Sequence, residues 1–171
     1  MCIRDSDYSS NDHFYAMHRA MRYVIDTKHH VLTLIPDNEF KNVIMGFSDS
    51  NYATDKDRRR SISGFAIYYN GALVSWKSKM QQCVTLSSTE AEYVALSETT
   101  AEVMFVKQVL QFMEKIVKMP IEVNVDNVGA IYLVNNESMS LRTKHVDTRY
   151  HFVREFVADG KVIVVLSLIH I

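Results

Sequence analysis

The stretch SSTEAEY, residues 87 to 93, sets two carboxylates one alanine apart behind a short polar opening. If it opens a helix, residues two apart sit about 200° apart around the axis, so Glu90 and Glu92 face different surroundings. Leu96, Val103, Leu110 and Met113 recur as one apolar stripe toward Lys115, and counting back four from Leu96 lands on Glu92. Glu92 is therefore the inward acid and Glu90 the solvent-side one. A carboxylate at the edge of a core is costly unless a cation or strong donors hold it. Two further acids sit in comparable places: Asp49 in the apolar run VIMGFSDS, and Asp126 at the end of IEVNVD. Asp is disfavoured in strands, although acids beside strands also serve turns and caps. If the two strands are central neighbours and the helix crosses them, the three carboxylates converge. Like charges that close drive protonation unless a divalent cation neutralises them. Oxygen donors with no cysteine nearby select Mg²⁺ or Mn²⁺ over zinc. Two such ions about 3.5 to 4 Å apart would activate water and stabilise the leaving oxygen of a phosphodiester.

The elements that must position these acids follow from periodicity. NDHFYAMHRAMRYVIDT places Phe14, Met17, Met21 and Val24 at helical spacing, with Asn11 or Asp12 as its cap. VIMGFSDSNYA is a strand with Val43, Met45 and Phe47 on one face, and the polar loop TDKDRRRS leads to the strand SGFAIYYNG. Asn70-Gly71 signals a hairpin into ALVSWKSKM, where Leu73, Ser75 and Lys77 alternate with Val74 and Trp76. After the long helix come a strand (IEVNVDN), a short helix (VGAIYLVNN), a helix with Val146, Tyr150, Val153 and Val157 on one side and Gly160 as its stop, and a buried strand (KVIVVLS). The order βββαβααβ implies an α/β layer fold whose mixed sheet combines an antiparallel meander with parallel strands reached by crossovers.

The totals bound the partners. A chain of 171 residues, 47% hydrophobic, supports one globular domain plus a fragment of a neighbour. Lys+Arg 19 against Asp+Glu 20 gives a net charge of −1, so no global positive field draws it to nucleic acid or to a membrane. Any polyanion must be held by local patches. Cys2 and Cys83 form no metal or redox motif, which suits a reducing compartment. No apolar run reaches the length of a membrane helix, and no signal peptide is evident, so a soluble protein is expected. The terminal pieces MCIRDS and SLIHI do not continue the neighbouring patterns, and residues 168–171 are expected to be a non-native tail.

The stretches SDSNYATDKDRRRSISGFAIYYNGALVSWKSKMQQCVTLSSTEAEYVALSE, VNVDNVGAIYLVNN and RTKHVDTRYHFVREFVADGKV closely resemble the ribonuclease H domain at the end of copia-type retrotransposon polyproteins, over roughly residues 41 to 166. DHFYAMHRAMRYVIDTKHHVLTL likewise resembles the end of the reverse transcriptase that precedes it. The division expected is a reverse-transcriptase segment over 1–38 and a ribonuclease H-like domain over 39–167, truncated at its C-terminus. The resemblance implies a metal-dependent endonuclease that cuts the RNA strand of an RNA–DNA hybrid, with Mg²⁺ or Mn²⁺ as cofactor and the reverse transcriptase as partner in the same polyprotein. It implies a cytoplasmic location, in virus-like particles, or a nuclear one. The family's first acid falls on Asp49, its second on Glu92 and its third on Asp126. Glu90 then reads as a first-turn acid that favours the helix dipole and caps with Ser87. The family's fourth acid, from a motif of the type Ala-Asp-x-x-Thr-Lys after the last strand, has no counterpart in VVLSLIHI. Asp147 is a conceivable stand-in, but an acid in a first helical turn also stabilises the helix end.

Substrate grip is expected from Lys56, Arg58, Arg59, Arg60, Lys77 and Lys79, and later from Arg142, Lys144 and Arg149, through sequence-independent phosphate contacts. Asp55 and Asp57 interleave with the first group, so that loop also reads as merely solvated. Ser75 and Asn127 are expected near the carboxylates, where a hydroxyl or amide meets the 2′-OH that marks RNA. His145 would contact phosphate or cap a helix. Trp76, Tyr68 and Tyr69 are expected to pack in the sheet. A non-catalytic remnant that only binds hybrid or packs on the reverse transcriptase is the competing reading. An integrase-type transferase would place its glutamate after the second aspartate, and here Glu92 lies between the two.

Overall fold

The computed structural model describes residues 10–55, 57–136 and 144–167, with the side chains of residues 144–148 and 150 outside that description. The chain divides into two compact units, Met1–Thr33 and Leu34–Ile171. The first holds helix α1 (Asn11–Asp26). Its N-cap is Ser10, one residue ahead of the expected Asn11 and two ahead of Asp12, and the Ser10 N–H donates to His13 Nδ1 at 3.1 Å. Phe14, Met17, Met21 and Val24 do line up along the helix, yet they are 48–65% exposed and no residue of α1 is buried. Helical spacing alone shows a face without showing what it packs on.

The second unit is a five-stranded sheet in the order β3-β2-β1-β4-β5. β1 (Ile44–Asn51), β2 (Ile62–Tyr69) and β3 (Ala72–Met80) form an antiparallel meander, and β4 (Ile121–Val125) and β5 (Val162–Leu166) add in parallel. The crossovers are α2 (Ser88–Phe112), then α3 (Val128–Asn135) and α4 (Lys144–Ala158). This is the expected α/β fold with a mixed sheet and flanking helices. The hairpin between β2 and β3 turns on Asn70 (φ 52°) and Gly71 (φ 78°), the left-handed pair that matches strand twist. α4 ends as expected at Gly160 (φ 65°), whose N–H donates to the Val157 carbonyl at 3.0 Å.

The core lies between α2 and the middle of the sheet, built from Ile44, Ile67, Leu96, Val103, Val123 and Val125 with Val153 from α4. Each such side chain contributes about 2 kcal/mol by leaving water. The buried row of β1 is Ile44, Gly46 and Ser48, whereas the more apolar Met45 and Phe47 are only half-buried. The reason is proximity: a Cβ on Gly46 would stand 3.0 Å from Val103 Cγ2 and 3.3 Å from Thr99 Cγ2, so α2 crosses β1 there with no room for a side chain. Phe47 instead meets Tyr68 edge-on, with ring centroids 5.6 Å apart. Tyr69 packs against the core, but Trp76, expected to pack in the sheet, is 61% exposed on the edge strand β3. The stripe of α2 also stops short of expectation. The helix ends at Phe112, and Met113 is exposed.

Candidate metal centre

Register brings the two aspartates together. β1 and β4 are parallel neighbours with Ser48 opposite Val125, so the next residue on each strand, Asp49 and Asp126, emerges at the same edge of the sheet. The chain then turns into α3, whose first turn is capped by Asn127: its Oδ1 accepts from Ala130 N–H at 3.0 Å. α3 lies close against the start of α2, because a Cβ on Gly129 would sit 2.9 Å from both Oγ1 and Cγ2 of Thr89. That closeness brings α2's first turns to the strand ends. α2 itself is capped by Ser87, whose Oγ accepts from Glu90 N–H at 3.1 Å, while the Glu90 carboxylate accepts from Leu86 N–H at 2.6 Å. Glu90 is thus a capping acid, reaching one residue further back than a capping box does.

One oxygen from each of Asp49, Glu92 and Asp126 lies within 4.8 Å of the others. Asp49 and Asp126 are exposed and Glu92 is buried, 5% exposed. Glu92 Oε1 accepts from both the Ser50 N–H, at 3.1 Å, and the Ser50 hydroxyl, at 2.7 Å. Its Oε2 is buried with no hydrogen-bond partner. Burial pushes the Glu92 carboxyl up to about 7; the Ser50 hydroxyl works against that shift, and the charges of Asp126 and Asp49 add to it. A fixed, desolvated carboxylate with one oxygen unpartnered beside two exposed aspartates suits a hard divalent cation, which would satisfy Oε2 and cancel the repulsion. The donor set is oxygen alone.

The other expected contacts distribute differently. Ser75 is not in the row of the acids: Asp49 pairs across β2 through Gly64 to Ser78, and Ser75 lies opposite Ile67, which faces Gly46. Its hydroxyl donates instead to Glu102 Oε1 at 2.8 Å. A register shift between Ile67 and Tyr68 spoils simple alternation at this end of β3. Lys77 is exposed on β3 opposite Phe65, one row from Asp49. Asn127 adjoins Asp126 but spends its oxygen on the α3 cap. Arg149 lies 4.0 Å from Glu98. Asp55 Oδ1 accepts from Asp57 and Arg58 N–H, so the basic loop is organised by its own aspartate. Lys56 and Arg142, and the side chains of Lys144, His145 and Asp147, fall outside the described residues. Sequence reasoning missed Ser50, Gly129 and Gln81. A serine beside Asp49 and a glycine in the first turn of an apolar helix were the available signals for the first two.

No family model matches the chain. It is similar to LC11-RNase H1, isolated from compost, with a TM-score of 0.51 at 16% identity, covering 74% of this chain and 84% of that one. It is also similar to the prototype foamy virus protease-reverse transcriptase, with a TM-score of 0.51 at 12% identity, over 80% of this chain and 19% of that one. The fold is that of ribonuclease H domains. In sequence, the chain is 42% identical over 117 residues to the retrovirus-related Pol polyprotein from transposon TNT 1-94 of Nicotiana tabacum, covering 68% of this chain and 9% of the polyprotein. It is 35% identical over 156 residues to that from transposon RE1 of Arabidopsis thaliana, covering 91% and 10%. The chain is a homologue of these plant-transposon Pol polyproteins and spans about a tenth of their length. A match over 91% of the chain necessarily takes in part of α1 as well as the sheet.

Proposed function

We propose that this chain is the ribonuclease H portion of a copia-type retrotransposon polyprotein and hydrolyses the RNA strand of RNA–DNA hybrids. The observation that carries this is the meeting of Asp49, Glu92 and Asp126 with Glu92 Oε2 buried and unpartnered. The homologous Pol polyproteins and the ribonuclease H fold support it. These three carboxylates would hold Mg²⁺ or Mn²⁺, which when bound as a pair supplies an activated water and neutralises charge at the leaving oxygen. The protein's own part is placement. Ser50 fixes Glu92 Oε1, the strand ends hold Asp49 and Asp126 open to solvent where a phosphodiester can approach, and the buried flank of Glu92 excludes water from one side. Hydrolysis adds water to phosphorus and breaks the P–O3′ bond, leaving a 3′-hydroxyl and a 5′-phosphate. Lys77 and Lys79 on the exposed edge strand, beside the arginines of the 52–60 loop, would supply phosphate contacts without base specificity. The segment over residues 1–38 would then be the end of the reverse transcriptase.

The test is cleavage of a hybrid labelled on its RNA strand, with Mg²⁺ or Mn²⁺, beside free RNA and duplex DNA. RNA-strand cleavage confined to the hybrid, stopped by a chelator and by Asp49→Asn, is the expected result. Hybrid binding without any cut would instead identify a non-catalytic remnant, and failure of both would reject the nucleic-acid role.

A further inference from the structure

We infer that Gln81 is a positioning residue that locks the first turns of α2 so that Glu92 keeps its free oxygen toward the two aspartates; this rests on the metal-dependent nuclease reading above. Gln81 directly follows β3 and is 1% exposed. Its backbone N–H donates to the Ser61 carbonyl at 2.8 Å, which fixes the residue beside the entry to β2. Its side-chain Nε2 donates twice, to Ser63 Oγ at 2.9 Å and to the Ala91 carbonyl at 3.0 Å. The second acceptor belongs to the peptide group that joins Ala91 to Glu92. The first belongs to the residue paired with Ser50 across β1 and β2. One amide therefore bridges the strand position opposite Ser50 and the helix position adjoining Glu92, the two residues whose contact orients the carboxylate.

Packing does not account for a glutamine here. Its Oε1 is buried without a hydrogen-bond partner, and an apolar side chain of that length would fill the space without stranding a polar atom. What an apolar chain would not supply is a directed bond tying the sheet to the α2 backbone beside Glu92. Repulsion from Asp49 and Asp126 pushes Glu92 away from the cluster, and a slip of α2 by one residue turns that position by about 100°. Two directed hydrogen bonds from Gln81 oppose that slip.

The experiment compares wild type with Gln81→Met, which keeps the volume and loses both donors, and with Ser63→Ala, which removes one acceptor. Three quantities are read: amide exchange at Ser50 in metal-free protein, kcat and KM on hybrid, and Tm. Gln81→Met is expected to speed Ser50 exchange about tenfold or more. It should also lower kcat about a hundredfold, the scale of a misplacement near 1 Å, with KM within about twofold of wild type. Ser63→Ala should move the same quantities less far, and it carries the test if Gln81→Met does not fold. Unchanged Ser50 protection overturns the inference, and so does a fall in Tm with kcat intact, which would mark a merely structural amide. If wild type fails to cut hybrid, the proposed function falls while the exchange measurement still decides whether Gln81 holds the Ser50–Glu92 contact.

Discussion

Helix α2 carries two glutamates, Glu92 and Glu102, that each accept a hydrogen bond from a serine of the sheet. Near the helix start, Glu92 meets Ser50 of the central strand, is buried, and has two aspartates within reach. Further along, Glu102 meets Ser75 of the edge strand, is half-buried, and borders an open groove with Val74, Phe105 and Val109. Chemically the pairs are alike; their surroundings are opposite. At Glu102 water reaches the groove and solvates whatever the serine does not. At Glu92 the polar group is bound on one oxygen, stranded on the other and crowded by like charge, an arrangement that costs stability unless something absent from the polypeptide completes it. A helix that tolerates a serine-bound glutamate at low cost thus carries a second one at high cost, and the difference marks where the chemistry belongs.

The strongest way to break this comparison is to neutralise each acid in turn. Glu92→Gln should bring metal-dependent hybrid cleavage to background, while Glu102→Gln should leave it within about twofold, since a half-exposed hydrogen-bonded pair contributes little. Equal losses would dissolve the distinction. A smaller effect separates the two in stability. Because the folded state raises the Glu92 carboxyl from 4.5 to about 7, the folded protein holds a proton there that the unfolded chain releases. Its contribution is complete below pH 4.5 and is lost as pH climbs through about 7, a decline of up to about 3 kcal/mol in metal-free protein. Urea unfolding across pH 4.5 to 8 should show that decline in wild type and in Glu102→Gln, and a flatter profile in Glu92→Gln. Smallest are the serine deletions: Ser75→Ala should cost about 1 kcal/mol and no activity. Ser50→Ala, at similar cost, should raise the Glu92 carboxyl further and move the stability decline of the metal-free protein to higher pH, which would sharpen the contrast.

Much of this was legible in the letters because helical phase and strand propensity are local. Counting back from Leu96 separated Glu92 from Glu90, and two aspartates closing apolar strands stood out against strand propensity. What was not legible depends on pairing across the sheet. Ser75 was expected beside the acids, but a register three residues off, with an irregularity at Ile67/Tyr68, gives Asp49's row to Ser78. The buried row of β1 was hidden for a related reason. Val43, Met45 and Phe47 formed the legible apolar face, and only the nearness of Val103 and Thr99 explains why Gly46 sits on the buried one. Nothing local marks Gln81, because its acceptors lie 18 and 10 positions away in sequence.

The seat of Val103 on Gly46 also makes α2 a lever. The fulcrum lies at mid-helix and Glu92 rides about 16 Å out on one arm, so a tilt of about 4° forced by a single added methyl at position 46 would swing that carboxylate by about 1 Å. Volume deep in the hydrophobic interior, well away from any charge, would then set the aim of the acidic cluster, at the cost of about 1 to 3 kcal/mol that overpacking carries.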